Sequence, residues 1–155
     1  MSITFRHMDD IHYVKTQTEK GMGLLHSHFN KKQGRKKWNQ NQNFQILKRK
    51  ESIGFISFRL DDEYLFLDVM ELDKRALDQG IGKRVIRKLE VEARKKQKQA
   101  IYLYVLKRDQ EAISMYQRYG FSIIDQGRDY WVMEKEVLPK TNHLENKYLR
   151  IHFPL

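Results

Sequence analysis

Leu77-Asp78-Gln79-Gly80-Ile81-Gly82-Lys83 separates two stretches of opposite pattern, and its reading decides the fold. Before it runs Tyr64-Leu65-Phe66-Leu67-Asp68-Val69-Met70-Glu71-Leu72, apolar toward both faces as a central strand should be, with Asp68 the exception in its middle. After it, Ile81, Val85, Ile86, Leu89 and Ala93 recur at helical spacing, with charged residues on the opposite side as far as Gln97. Ala100-Ile101-Tyr102-Leu103-Tyr104-Val105 is then a second strand, and a crossover helix makes the two strands parallel neighbours. The turn therefore joins a buried strand to the N-terminus of a helix. Its exposed backbone N–H groups, the helix dipole and the cations Lys83, Arg84 and Lys88 would converge on an anion, and a diphosphate suits that arrangement.

Working outward, Ile3-Thr4-Phe5-Arg6 reads as a strand, and Ile11, Val14, Met22, Leu25 and Phe29 follow at helical spacing. The polar stretch from Asn30 to Asn43 reads as a long loop. Phe44 to Arg49 and Ile53 to Leu60 form a hairpin around Lys50-Glu51-Ser52, and Asp61-Asp62-Glu63 turns the chain into the central strand. On the other side, Asp109 is an N-cap for a helix carrying Ala112, Ile113 and Tyr116, closed by Gly120. Phe121 to Ile124 and Tyr130 to Met133 flank Gln126-Gly127-Arg128-Asp129 as a last hairpin. The order β-α-β-β-β-α-β-α-β-β predicts an α/β (α+β) domain with a mixed, mostly antiparallel sheet flanked by helices.

The 155 residues suit a single domain, and no repeat or linker composition divides them. No apolar run is long enough to span a bilayer and no secretory leader pattern opens the chain, so no membrane partner is expected. The absence of cysteine excludes disulfides, thiolate metal sites and a cysteine nucleophile, and fits a cytoplasmic location. His26 and His28 point apart on a helix and have no third ligand at a useful spacing, so no metal is expected. A formal net charge of +10, densest at Lys31 to Lys37 and Arg94 to Lys98, attracts polyanions. No nucleic-acid reading motif accompanies it, so a phosphorylated small molecule is the expected partner.

Two common phosphate sites are excluded. There is no G-x-x-x-x-G-K-[ST] run, and Val85 stands where a dinucleotide-binding turn needs its third glycine. The strand, the Leu77 to Gly82 turn, the helix, the next strand and then Asp109-Gln110-Glu111-Ala112-Ile113-Ser114-Met115-Tyr116-Gln117-Arg118-Tyr119-Gly120-Phe121 resemble the GCN5-related N-acetyltransferase (GNAT) superfamily. The family pattern has Gln or Arg where Leu77 stands, and Asn where Asp109 stands.

The resemblance implies the acyl-CoA N-acyltransferase fold over residues 1–137, with 138–155 as a C-terminal extension docked on the domain or on a partner subunit. It also implies acetyl-CoA as co-substrate, an amine acceptor, and a V-shaped splay between the two parallel strands. Main-chain groups of Met70 and Leu72 would hold the pantetheine arm. The segment Leu77, Asp78, Gln79, Gly80, Ile81, Gly82, Lys83 and Arg84 would hold the diphosphate, and Asp109 would stand at the pantetheine end of its helix. A backbone N–H of the first splayed strand would polarise the thioester carbonyl.

Tyr116 matches the tyrosine beside the departing sulfur, and Asp68 is the candidate base for the acceptor amine. A carboxylate of ordinary acidity, near 4, is a poor base at neutral pH, so burial or a water relay must assist it. By strict alternation Asp68 shares its face with Phe66 and Met70, which leaves Glu71, of opposite parity, as the alternative. Tyr130 and Trp131 are candidates to line the acceptor pocket. Acetyl transfer to a primary amine of a small molecule or peptide is the leading reading. A catalytically weak acyl-CoA sensor, or a basic nucleic-acid module on the same fold, is the alternative. The apolar alternation Leu149, Ile151, Phe153, Leu155 leaves monomer and homodimer both open.

Overall fold

The computed structural model describes residues 3–8, 41–77 and 80–138, apart from the side chains of Arg75 and Leu77. The expected helix over 11–29, most of the expected 30–43 loop, Asp78, Gln79 and the tail from Pro139 lie outside the described residues.

Among the described residues seven strands form one sheet: β1 (Ile3–His7), β2 (Gln42–Lys48), β3 (Glu51–Leu60), β4 (Tyr64–Leu72), β5 (Ala100–Leu106), β6 (Ser122–Gln126) and β7 (Tyr130–Glu136). Their spatial order is β1-β2-β3-β4-β5-β7-β6. Every pairing is antiparallel except β4 with β5, the pair joined by the crossover helix. The described helices are a single turn, α1 (Lys74–Leu77), then α2 (Ile81–Lys95) and α3 (Gln110–Arg118).

Local chemistry accounts for these boundaries. The first hairpin turns on Arg49 and Lys50, both at positive φ (50° and 69°), rather than on the expected Lys50-Glu51-Ser52. Asp109 caps α3, its Oδ1 accepting from the Ala112 N–H at 3.0 Å. Gly120, at φ 97°, takes the chain out of α3 where a Cβ would be strained. α2 ends at Lys95 with Arg94 and Lys95 in its last turn, favourable to the helix dipole.

The main core lies on one face of the sheet. Ile81, Val85, Ile86, Leu89 and Ala93 of α2 and Ala112, Ile113, Met115 and Tyr116 of α3 pack there with Ile46, Ile56, Phe58, Leu65, Leu67, Met70, Leu72, Ile101 and Leu103. Burying each large apolar side chain contributes about 1.5–3 kcal/mol, so this face holds the two helices in place. Lys135 fastens their rear: its Nζ donates to the Tyr119 carbonyl at 2.7 Å and pairs with Glu90 of α2 at 2.7 Å.

The opposite face carries a second set of buried side chains. Phe66, Ala100, Tyr102 and Val132 cluster there, with Tyr64, Tyr104 and Tyr130 against them. Tyr102 donates to Glu134 Oε2 at 2.5 Å.

One irregularity in β4 sorts its residues between the two faces. Leu67 pairs with Phe58 and Val69 pairs with Ser57, so Asp68 is an extra residue, a β-bulge. The bulge reverses the alternation: Leu65 and Leu67 face the helices before it, Met70 and Leu72 after it. Phe66 therefore shares a face with Val69 and Glu71, and Met70 lies on the other. Strict alternation, which placed Met70 with Phe66 and set Glu71 apart, fails at this bulge.

Candidate active site

The parallel pairing of β4 with β5 runs from Tyr64↔Ala100 to Leu67↔Leu103 and stops there. Both strands continue, β4 to Leu72 and β5 to Leu106, but no longer as partners. This is the V-shaped splay. It opens at the bulge, so residues 68–72 keep β3 on one edge and have no paired strand among the described residues on the other. Gly54 assists on the β3 side: a Cβ there would collide with the Glu71 carbonyl oxygen, so only glycine lets the end of β4 lean this closely onto β3. Met70 and Leu72 bury their side chains in the core, which leaves their main chain to line the slot.

The N-terminus of α2 sits at the end of the loop that leaves β4. Gly80 is its N-cap, in the left-handed region at φ 69° and ψ 17°, with open space where a Cβ would be. No side chain caps this end and no acidic residue lies in its first turn, so the N–H groups of the first turn are directed at the loop. Lys83 is exposed beside them and Arg84 half-buried, whereas Lys88 extends to the Phe5 ring, its Nζ 5.4 Å from the centroid. Gly82 has a different reason to be glycine. The phenol of Tyr119 occupies the place of its missing Cβ, with Cζ 2.9 Å from that position, so this glycine docks α3 against α2.

Tyr116, on α3, is buried and packs edge-on against Phe121 at 5.5 Å. Burial, with smaller effects from Tyr119 and Asp109, pushes its phenol well above the usual range. Asp109 is at the start of the same helix with its carboxylate committed to the cap.

Asp68 is buried at the mouth of the splay, on the face away from α2. Asn41 Nδ2 donates to Asp68 Oδ2 at 2.7 Å and to Ser57 Oγ at 2.9 Å, and Ser57 Oγ donates to Asn43 Oδ1 at 2.6 Å. Asn41, just before β2, was not singled out from the sequence, because a lone asparagine at a loop end has no signature. Around Asp68 runs an aromatic wall: Phe66 meets Tyr104 at 4.9 Å, Tyr104 meets Tyr130 at 5.1 Å, and the Arg59 guanidinium lies 4.5 Å over Phe66. Trp131 instead packs with the main core and carries Lys107 over its ring at 4.5 Å.

Glu71, on the same face by virtue of the bulge, is 3% exposed. Burial pushes its carboxyl up to about 7. Among the described residues no cluster of three or more His, Cys, Asp or Glu side chains could hold a metal ion. No helix among them is long and apolar enough to cross a membrane.

An uncapped helix N-terminus beside an opened strand edge fits a ligand with a diphosphate at one end and an amide-bearing arm at the other. The sequence model of the acetyltransferase (GNAT) family matches residues 11–121. The chain belongs to that family.

Solved structures agree on the fold. A GNAT family acetyltransferase from Elizabethkingia anophelis, with acetyl-CoA bound, superposes with a TM-score of 0.69 at 17% identity, covering 86% of this chain and 97% of that one. The ribosomal-protein-S18-alanine N-acetyltransferase of Escherichia coli gives 0.69 at 16% identity, covering 91% and 98%. The PaiA N-acetyltransferase of Thermoplasma acidophilum, in complex with coenzyme A, gives 0.67 at 20% identity, covering 88% and 99%. A comparison with curated proteins returns no match.

Proposed function

We propose that this protein transfers the acetyl group of acetyl-CoA directly to a primary amine of a small molecule or peptide. The observation that carries the reading is the end of β4–β5 pairing at Leu67 and Leu103, beside the uncapped N-terminus of α2. Similar proteins hold acetyl-CoA or coenzyme A, and one is an alanine N-acetyltransferase.

Bound acetyl-CoA would supply the activated thioester. The N–H groups from Gln79 to Arg84, with the Lys83 and Arg84 side chains, would hold its diphosphate. Main-chain groups of Met70 and Leu72 would pair with the pantetheine arm as an added strand does. A backbone N–H at the bulge would stabilise the developing oxyanion. Asp109 stands at the head of the Tyr116 helix, and as a capping acceptor it gives the arm no donor. Leu77 would offer its backbone to the same segment.

Tyr116 would stabilise the departing sulfur. A phenol raised above its usual range is a poorer proton source than a thiol, so its chief action is to donate a hydrogen bond rather than to surrender the proton. Asp68 faces the acceptor side, where a carboxylate draws in an ammonium and receives its proton directly or by water relay. The cysteine-free composition suits a reducing cytoplasm.

Thermal denaturation with and without acetyl-CoA, followed by thiol release against a panel of amines, tests the reading. Ligand at 100 times its Kd stabilises by about 2.7 kcal/mol. No stabilisation at millimolar acetyl-CoA would sink the proposal. Stabilisation without thiol release from any amine would leave a sensor, the reading that the Asp109 and Leu77 departures favour.

A further inference from the structure

Arg59, next to last in β3, turns its side chain onto the face of the sheet that carries Asp68. It pairs in register with Phe66, and its guanidinium lies 4.5 Å over that ring. The ring attracts the cation's charge but supplies no oxygen acceptor for its five N–H donors. The carboxylate near it is Asp61 in the exposed turn after β3, 3.8 Å from Nε, longer than a hydrogen bond. Among the described residues the two terminal nitrogens of Arg59 make no ion pair or hydrogen bond.

Asp68 follows Phe66 by two residues on β4, about 7 Å along the strand. No ion pair joins it to Arg59. Beside the two charges stand Tyr104, edge-on to Phe66 at 4.9 Å, and Tyr130, 5.1 Å beyond it. The Tyr104 phenol feels both charges. Burial pushes it above its usual range, Tyr130 adds to the rise, Arg59 opposes it, and Asp68 and Asp125 add to it. At the mouth of the splay a cation and an anion thus occupy separate places along one aromatic wall.

Resting on the acetyl-transfer reading above, we propose that the acceptor is a zwitterion, a free amino acid, whose carboxylate is received by Arg59 while its ammonium meets Asp68. A guanidinium presents its donors as a planar fork that matches a carboxylate, and the Phe66 ring holds that fork in place before the acceptor arrives. The same cation works against other amines. A diamine or polyamine would bring a second ammonium toward Arg59, a like-charge contact that lowers its affinity. The amino terminus of a peptide would offer a neutral amide where Arg59 calls for an anion.

The test follows thiol release by the full chain with a panel of L-amino acids, each beside its C-terminal amide and its decarboxylated amine, and with spermidine. For the best amino acid, kcat/KM is expected to exceed that of its amide and its amine by about 10- to 100-fold, the worth of hydrogen bonds to a charged group. Arg59→Gln should bring that ratio toward one by raising KM for the amino acid, and Arg59→Lys, which keeps the charge without the fork, should restore part of it. Arg59→Gln losing all three members of a set equally, with the ratio kept, would overturn the assignment. The wild-type ratios decide even where a variant fails to fold. Preference for an amide, a simple amine or spermidine would overturn this inference alone. A wild type stabilised by acetyl-CoA that releases thiol with no amine would overturn it together with the proposed function.

Discussion

Glu71 and Asp68 are buried three positions apart on one strand. For Glu71 the folded carboxyl sits near 7 against 4.5 in the open chain. A carboxyl raised on folding favours the native state while neutral, so that benefit is complete below pH 4.5 and is lost as the pH climbs to 7. Above that range the buried charge weakens the fold by roughly 3 kcal/mol at most. Glu71→Gln should therefore match wild type in urea midpoint near pH 4.5 and exceed it at pH 8. Tyr116→Phe should reduce turnover roughly 10- to 100-fold, the worth of one hydrogen bond to a charged group, with little change in acetyl-CoA affinity. At Asp109, Ala should cost about 1 kcal/mol by removing the cap to Ala112, while Asn should keep the fold. Denaturant titration separates the two. Residue identity alone revealed Asp109 as a cap, because a cap has a local cause, whereas Tyr116 was singled out by the resemblance of the Asp109 to Phe121 stretch to the family. Asn41 and the environment of Glu71 depend on contacts between strands distant in sequence, and nothing local announces them.

At the scale of elements, periodicity was informative wherever one face is buried and the other wet. The α2 stripe of Ile81, Val85, Ile86, Leu89 and Ala93 is the buried stripe observed. Strand ends moved by a residue or two: β2 begins at Gln42, β3 at Glu51 and β6 at Ser122. The bulge in β4 was hidden for a physical reason. All but the first residue of that strand are buried, so no wet face exists against which a break in alternation could show. The parity argument about Glu71 failed for the same reason. The first hairpin turn was misread because Arg49 and Lys50 adopt a geometry that Asn-Gly serves better. Lys50→Gly is expected to relieve the strain of positive φ and to stabilise the protein by about 1 kcal/mol, read as a rise in Tm without loss of cofactor binding. An unchanged or lower Tm would mean that the turn is held by contacts of the lysine side chain.

For the whole molecule, the split of labour between the two sheet faces follows from topology. Among the described residues, α2 and α3 cover one face and present the α2 N-terminus, and acidic and aromatic side chains collect on the other, so co-substrate and acceptor would approach from opposite sides of the same gap. The order of the described elements from β2 to β7 was legible in large part because a parallel pair demands a crossover helix. The position at which the pair parts was not, since strand register leaves no mark on composition. The net charge of +10 should make acetyl-CoA affinity fall as salt rises, which titration at two ionic strengths would measure. The parting of β4 from β5 has a further consequence. It creates an edge strand in the interior of a sheet, a row of main-chain donors and acceptors of the kind other chains pair with. Among the described residues no strand covers this edge, and acetyl-CoA would act there as the strand that closes it. Within residues 68–72, the amide hydrogens that point into the gap rather than at β3 should exchange rapidly in the ligand-free protein and become protected in its presence, with less precipitation on storage.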